Sequence, residues 1–351
     1  MRFRLATLIG LVAVLVFIFI AGPALAAKKD PMAAWRPKFD PSGAKYKVIV
    51  SNVSTPGLIG VRAGFWIRDA LWEKTGGKMY LDYRPFSQLG GEVEVLNLLQ
   101  TGAIQGMSCS SVASTNLGPR MGIVNLPFLI NTPEKLEKFV QSGDLFQHYL
   151  DGMAHQGIMG LDITAYGQYG WATKNPVKTM ADAKKVKFRI AEAAVNQASY
   201  KAWGLNPVVM PWPDVHTSLK QGVITGLDHT PTVCYVTKKF EIVKNFTPLN
   251  YAQGLFVWIF NKAWFDSLPE DLQKTFAEVV HEQAAKARAE QPKQDAGSVK
   301  AAKDKAGVSF WNLPEADMAT AAKQSKAVHD QWAKEIGADY LKKVQDLMGF
   351  K

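Results

Sequence analysis

The chain has 351 residues, 47% of them hydrophobic and 21% charged, which is typical of a globular protein long enough for two medium-sized domains. Lys and Arg number 41 against 31 Asp and Glu, but the lysines are scattered, so the basic balance indicates a solvated surface and argues against a nucleic-acid-binding protein. The two cysteines, Cys109 and Cys234, lack CxxC or Cys/His spacing, which argues against metal and redox sites and leaves open a disulfide or two buried thiols.

Residues 1–26 predict a cleavable signal peptide that directs the chain out of the cytoplasm. Arg2 and Arg4 form a positive start, an apolar run covers residues 5–20, and residues 24–26 read Ala-Leu-Ala, a cleavage signature. The length of the apolar run leaves an uncleaved membrane anchor as the alternative. Residues 27–45 are rich in Pro and Lys and predict a loose N-terminal leader.

The first half of the remaining chain predicts alternating strands and helices. YKVIVSNV has the apolar pattern of a buried strand, and GVRAGFWIRDALWEKTGG has helical spacing before a glycine stop. MYLDYRPF predicts a second strand, LGGEVEVLNLLQTG a helix, and IQGMSCSS a third strand. This order with short connections predicts a parallel sheet covered by helices.

The second half continues in the same way. KFRI, NPVVMP and ITGLDH predict strands, with AVNQASYKAWG and WPDVHTSLKQG as helices between them, and the apolar LFVWIFNKAWF predicts a central strand. From SLPEDLQKTF to the end the pattern is mostly helical, with a break at AGVSFWNLP. We therefore expect an α/β fold of two lobes with a ligand cleft between them, at the carboxyl ends of the strands.

Motifs of catalysis are absent from the sequence. It contains no GxSxG, HExxH, P-loop or GxGxxG after a strand, and its six histidines lack metal-ligand spacing. We therefore expect a binding protein rather than an enzyme, with no metal and no cofactor.

Arg189 is the strongest candidate for ligand binding. It interrupts the apolar alternation of KVKFRIAEA with a fixed charge, which is costly at a strand end unless an anion meets it. The anion is either a ligand carboxylate or an internal partner, Glu192 or Asp228; Glu192 could also orient the guanidinium beside a ligand. Trp212, at a strand-to-helix turn, either stacks on a ligand or fills the lobe interior.

Several motifs in order resemble the periplasmic solute-binding subunit of tripartite ATP-independent periplasmic (TRAP) transporters, the DctP family. FSQLGGEVEVLNLLQTGAIQGM, GIVNLPFLI, KFRIAEA, WGLNPVVMPWPDVHTSLKQGVITGLDH and SLPEDLQKTF carry the resemblance over roughly residues 46–290. It implies the two-lobed periplasmic binding protein fold with a long inter-lobe helix and extra C-terminal helices. Lobe 1 is then expected at residues 46–165, lobe 2 at 166–255, and the crossing strand, spanning helix and C-terminal helices at 256–351.

The resemblance also implies capture of a small organic acid and its delivery to a sodium-coupled permease. The expected partners are this acid and the small and large membrane subunits, and the protein itself is expected to be a monomer. Arg189 matches the family's carboxylate-clamping arginine, and Trp212 matches the aromatic residue that covers the ligand. The further ligand-binding residues predicted at family positions or beside them are Asn52 (with Val53 as its alternative), Glu92, Ser110, Ser111, Tyr169, Glu192, Asp228 and His229.

Two departures from the family pattern bear on the ligand. Many relatives carry a second arginine where this chain has Tyr169, and the usual Glu-Asn-Pro reads Asp228-His229-Thr230-Pro231. One cation fewer favours a monocarboxylate with a bulky, partly polar body over a dicarboxylate held by two arginines. A sensor protein that hands the acid to a signalling receptor is the alternative function, and a secreted hydrolase using His216 or His229 is a further one.

Overall fold

The computed structural model describes residues 30–350. The predicted signal peptide, residues 1–26, lies outside the described residues, as do the first residues of the predicted leader. Residues 30–40 belong to a separate N-terminal unit with a 3-10 turn at Ala33–Trp35, where Arg36 and Asp30 form an ion pair of 2.8 Å. The second unit begins at Pro41 and contains the elements described below.

One sheet organises this second unit. Its nine strands are β1 Tyr46–Ser51, β2 Met79–Arg84, β3 Gly106–Ser110, β4 Ile158–Thr173, β5 Phe188–Ile190, β6 Val208–Val209, β7 Gly226–His229, β8 Asn245–Asn261 and β9 Ser309–Phe310. Their order is β2-β1-β3-β8-β4-β7-β5-β6, with β9 beside β8. The sheet thus runs without a break from one set of short strands, β1 to β3, through β8 and β4 to the other set, β5 to β7.

The two long strands make the sheet mixed. β1 is parallel to β2 and β3, as the sequence predicts, and β5 is parallel to β6 and β7. β8, however, runs antiparallel to both β3 and β4, and β4 runs antiparallel to β7. The expectation of a parallel sheet therefore holds within each set of short strands, which β4 and β8 join.

Helices cover the sheet. They are α1 Ile59–Lys74, α2 Glu92–Gln100, α3 Ser111–Ser114, α4 Pro133–Val140, α5 Asp144–Leu150, α6 Met180–Ala183, α7 Ala194–Ala202, α8 Val215–Gln221, α9 Pro231–Val236, α10 Lys262–Asp266, α11 Glu270–Asp304, α12 Glu315–Ile336 and α13 Ala338–Met348. α11 packs on α1, α9 and β4, so it spans elements from both halves of the sheet. In residues 30–350, no helix combines the length and apolar character needed to cross a membrane.

Two apolar clusters of residues 30–350 pack against these layers. One joins α2, β3, α4 and α5 to α12 and α13, and the other joins α8, β7 and the amino-terminal part of β8. Cys109 and Cys234 are both buried and free, so the disulfide left open by the sequence is not formed. The observed α/β architecture with a long helix on both halves of the sheet agrees with the predicted fold class, and the predicted lobe boundary at 165/166, which lies within strand β4, stays a prediction.

Candidate functional site

A cavity lies where the carboxyl ends of β3, β5 and β7 approach the crossing of β4 and β8. Six of the predicted residues line it: Glu92, Ser110, Tyr169, Arg189, Trp212 and His229. The lining also includes residues that the sequence analysis did not select, among them Ser54, Leu58, Tyr166, Ala191, Val233 and Phe256. Val53, the alternative to Asn52, lines it as well.

Arg189 enters the cavity from the middle of β5. Its neighbours Phe188 and Ile190 are buried on the opposite face of the strand, since successive side chains alternate. The Arg189 side chain is only 4% exposed, and its Nε donates a hydrogen bond of 2.8 Å to the Met210 carbonyl. Burial lowers the pKa of the guanidinium, which still remains cationic at neutral pH.

The internal ion pair considered for Arg189 is not formed. Among the described residues, no carboxylate is in ion-pair contact with its guanidinium, although Glu92 and Asp228 lie close enough to act on it electrostatically. The Met210 carbonyl occupies only one edge of the planar group. The remaining donors can therefore hold a carboxylate through two parallel hydrogen bonds.

Trp212 and His229 form an aromatic wall beside Arg189. Trp212 is half-buried at a 3-10 turn, and its ring centroid lies 5.7 Å from Arg189 Cζ and 4.9 Å from the His229 ring in an edge-on arrangement. It also contacts the core cluster of α8 and β7, so it lines the cavity and fills the interior at once. An indole face in this position can cover the apolar body of a ligand.

His229 offers a hydrogen-bond donor to the cavity. The Thr230 amide N–H donates to its Nδ1 at 3.0 Å, which assigns the ring proton of the neutral imidazole to Nε2. Burial, with Arg189 and Lys239 nearby, lowers the pKa of His229 well below its usual value. The ring is therefore neutral at physiological pH and complements a ligand oxygen through Nε2–H.

Glu92 is the first residue of α2, and its side chain is held by Ser110, the last residue of β3. The chain turns at Gly90, whose φ is 108°, and the Glu94 carboxylate accepts the Gly91 N–H at the start of α2. Glu92 Oε1 then accepts the Ser110 N–H at 2.6 Å, and Oε2 accepts the Ser110 hydroxyl at 2.7 Å. Burial raises the pKa of Glu92, while the Ser110 hydrogen bonds act in the opposite direction.

Two tyrosines from β4 complete the polar wall. The hydroxyls of Tyr166 and Tyr169 are 2.8 Å apart and share one hydrogen bond, and both side chains are buried. One of the two hydroxyls must be the donor in this pair. The hydrogen of the accepting hydroxyl is therefore free to point to a third group. Tyr166 was missed because its contact depends on how β4 crosses β8, which the sequence did not predict.

Asp228 lies behind the cavity rather than in it. Its Oδ2 accepts a hydrogen bond of 2.6 Å from the Tyr251 hydroxyl, and Tyr200, which receives the Trp171 Nε1–H, is near enough to influence the Asp228 pKa. Burial raises the pKa of Asp228 to about 7, against the effect of these hydrogen bonds and of Arg189. The structure thus places Asp228 as a support for the site and not as a lining residue.

Three other predicted residues also lie outside the cavity lining. Asn52 is fully buried, and its amide donates to the Ser108 carbonyl at 2.7 Å and its carbonyl accepts the Ser54 N–H. Ser111 is buried and donates to Asn125 at 2.8 Å. Glu192 borders a separate depression, and its backbone carbonyl accepts from Asn116. These polar groups are used to connect the loops that surround the site.

A cavity lined by a buried arginine and aromatic side chains suits the binding of a small solute, and comparisons with known proteins agree. The family described as "Bacterial extracellular solute-binding protein, family 7" (DctP) matches residues 65–335. This match covers more than half of the chain. The chain belongs to this family, so the resemblance drawn from its motifs is confirmed.

Characterised relatives cover most of the chain. The chain is similar to the 2,3-diketo-L-gulonate-binding periplasmic protein YiaO of Escherichia coli, with 30% identity over 220 residues, 61% of this chain and 65% of that protein. It is also similar to the C4-dicarboxylate-binding periplasmic protein DctP of Rhodobacter capsulatus, with 28% identity over 272 residues, 77% of this chain and 81% of that protein.

Solved structures show the same architecture. A TRAP periplasmic solute-binding protein from Sulfurospirillum deleyianum, with bound succinate, superposes with a TM-score of 0.79 at 28% identity, covering 87% of this chain and 99% of that one. A second from Shewanella oneidensis superposes with a TM-score of 0.81 at 24% identity over the same shares. The fold of this chain is that of the two-lobed TRAP solute-binding proteins.

Proposed function

We propose that this protein captures a small organic acid in the periplasm by pairing the carboxylate of the acid with Arg189. The observation that carries the proposal is the state of that guanidinium, which is buried, lines the cavity and has a single carbonyl partner within the described residues. Relatives that bind diketogulonate or dicarboxylates support the same ligand class. A TRAP permease of a small and a large membrane subunit then receives the acid.

Capture follows from desolvation of this pair. The carboxylate reaches Arg189 in the cleft, and closure of the lobes removes water, which strengthens the charge-assisted hydrogen bonds. Trp212 covers the ligand body, while the His229 Nε2–H and the Tyr166–Tyr169 hydroxyls meet its polar groups. Glu92 lies across the cavity and accepts only from Ser110 among described residues, so a ligand hydroxyl is a fitting further donor to it.

The experiment is calorimetric titration of the mature protein with acids found by a thermal-shift screen. We expect Arg189→Ala to weaken binding about 100-fold, and Arg189→Lys to recover only part of this because an ammonium lacks the two-pronged edge. Arg84→Ala is the matched control, since Arg84 pairs with Asp82 on β2 away from the cavity. Unchanged affinity of Arg189→Ala would reject the proposal.

A further inference from the structure

Lys239 is a buried cation without an acidic partner. It begins a 3-10 turn after α9 and is only 6% exposed. Its ammonium donates a long hydrogen bond of 3.5 Å to the Thr237 carbonyl, and no carboxylate of residues 30–350 forms an ion pair with it. A lysine is rarely this buried without an acid beside it, so its remaining contacts must offset the loss of water around the ammonium.

The contact that takes the place of a carboxylate is the Trp212 indole. Lys239 Nζ lies over the Trp212 ring, 4.6 Å from the ring centroid. This distance is within the range of about 6 Å in which the negative face of an aromatic ring attracts a cation, and the attraction is stronger where the cation is desolvated. The burial of Lys239 therefore favours this contact.

The Trp212 ring forms a wall between two clefts. The ligand cavity is lined by Arg189 and Trp212 but not by Lys239, whereas a neighbouring cleft is lined by Lys239 and Trp212 but not by Arg189. Arg189 Cζ lies 5.7 Å from the same ring centroid. Each cleft thus supplies one cation to the indole, and Lys239 contacts it from outside the ligand cavity.

The orientation of this ring depends on side-chain contacts rather than on its backbone. Trp212 begins the short 3-10 turn Trp212–Asp214, which has no side-chain cap at its amino end. Besides the two cations, the ring contacts the edge of His229 and the apolar cluster of α8 and β7. Loss of the Lys239 contact therefore removes one of the few interactions that keep the indole over the cavity.

We propose that Lys239 is a positioning residue for ligand capture, which holds the Trp212 indole against the ligand body from outside the cavity. The inference rests on the proposed function, in which Arg189 takes the carboxylate and Trp212 covers the rest of the acid. Lys239 itself does not touch the ligand, and its ammonium acts through the ring.

The test is a double-mutant cycle on ligand affinity. The probe is the acid that raises Tm most in a screen of aliphatic, hydroxy, keto and aromatic carboxylates, and calorimetry gives its Kd. We expect Lys239→Met to weaken binding about threefold to tenfold, and Lys239→Arg to restore most of this because a guanidinium also stacks on an indole. In the Trp212→Leu protein, Lys239→Met should change the affinity less than about twofold, because the ring through which Lys239 acts is gone.

Lys220→Met is the matched control. It makes the same change of net charge at an exposed position of α8 and should bind the probe like wild type. Urea unfolding establishes that each variant is folded, and Lys239→Gln replaces Lys239→Met if the methionine variant is not. A long-range effect of the Lys239 charge on the acid would weaken binding equally with and without Trp212, which distinguishes it from positioning.

The outcomes separate this inference from the proposed function. If Lys239→Met binds the probe like wild type, weakens binding equally in the Trp212→Leu protein, or is not improved on by Lys239→Arg, the positioning role is wrong while capture by Arg189 stands. If no acid raises Tm, or if Arg189→Ala binds the probe as tightly as wild type, the proposed function fails and this inference fails with it.

Discussion

Asp228 and Arg189 lie in the same buried region of the cleft without forming an ion pair. Asp228 uses Oδ2 to accept the Tyr251 hydroxyl, whereas its buried Oδ1 has no hydrogen-bond partner. Desolvation raises the pKa of this carboxyl to about 7, so it titrates in the physiological range. The neighbouring His229 does not titrate there, because its pKa is lowered well below its usual value.

Ligand affinity should therefore decrease as the pH rises through about 7. A carboxylate on Arg189 adds negative charge near Asp228, so binding favours the protonated form and takes up a proton. Each unit by which the ligand raises this pKa corresponds to about tenfold in affinity between the two protonation states. Calorimetry from pH 6 to 8 on wild type and Asp228→Asn measures the slope, and we expect the variant to flatten it.

An equal slope in both proteins would contradict the assignment to Asp228 and point to Glu92, whose pKa is also raised. The free energy of unfolding should also decrease as the pH rises. The folded-state pKa of Asp228 lies above the unfolded value of 3.8, so its contribution is complete below that value and is lost as the pH rises through about 7.

The sequence identified those residues of the site that lie in recognisable motifs. Arg189 and His229 lie on β5 and β7, Glu92 and Trp212 lie at turns after strands, and all four line the cavity. The burial of Lys239 could not be predicted, because TKKFEIVK resembles a solvated lysine-rich segment. Lys238, the residue before it, adopts a left-handed conformation with φ of 60°.

Among the elements, the crossing of β4 and β8 controls the shape of the cavity. The pairing of these strands shifts register between Ala165 and Gly167 and again between Gln168 and Gly170. Gly167 has a φ of 108°, and the Tyr166 ring packs directly over Gly254. The glycines thus permit the close approach that aims Tyr166 into the site.

Gly254→Ala should displace Tyr166. An added Cβ would overlap the ring, and relieving this overlap should cost about 1–3 kcal/mol in the free energy of unfolding and weaken ligand binding. The control is Gly297→Ala, at an exposed position of α11 where an added Cβ meets nothing within 4 Å. This variant should raise the free energy of unfolding by about 0.5–1 kcal/mol. Urea unfolding measures both; equal effects would show that the Tyr166 packing is unimportant.

The long helix is fixed to β4 by a buried ion pair. Arg288 of α11 donates to Asp162 at 2.6 Å, to the Ile163 carbonyl at 2.7 Å and to Glu137 at 3.1 Å. Arg288 and Asp162 are both buried, and removal of Arg288 takes away the cation that pairs with Asp162 and leaves it with the Ile163 N–H and the half-exposed His281 as partners. This contact joins α11 to the strand that runs through both halves of the sheet.

Arg288→Ala should reduce the free energy of unfolding by about 3–5 kcal/mol. The comparison is Lys74→Ala, which breaks the exposed pair of Lys74 with Glu282 between α1 and α11 and should cost less than about 1 kcal/mol. Urea denaturation monitored by tryptophan fluorescence gives both values. A small effect at Arg288 would mean that the helix is held by apolar packing alone.

The short strands and most helices were predictable because they alternate or repeat regularly. β4 was not predicted, since almost all of its residues are buried on both faces and it has no alternation of period two. For β8, the predicted strand covered residues 255–265, whereas β8 extends back to Asn245 through polar residues and ends at Asn261, where α10 follows. The burial of β4 and β8 by the opposing half of the molecule depends on tertiary packing, which a local sequence pattern does not predict.

For the whole molecule, ligand binding should appear as a gain in stability. An acid that binds only the folded form stabilises it by about 2.7 kcal/mol at 100 times its Kd. This corresponds to a rise in Tm of about 4 °C for a protein of this size. A thermal-shift screen of aliphatic, hydroxy, keto and aromatic acids measures this rise, which Arg189→Ala should abolish. A ligand-induced rise that persists in Arg189→Ala would place the binding site elsewhere.

The central claim is that the Arg189 guanidinium receives the carboxylate of a captured acid. A crystal structure of the mature protein with the acid that raises Tm most tests it directly. The account predicts a ligand carboxylate on the two terminal nitrogens of Arg189, with Trp212 against the ligand body. A ligand bound away from Arg189, with the guanidinium paired to Glu92 or Asp228, would contradict the account.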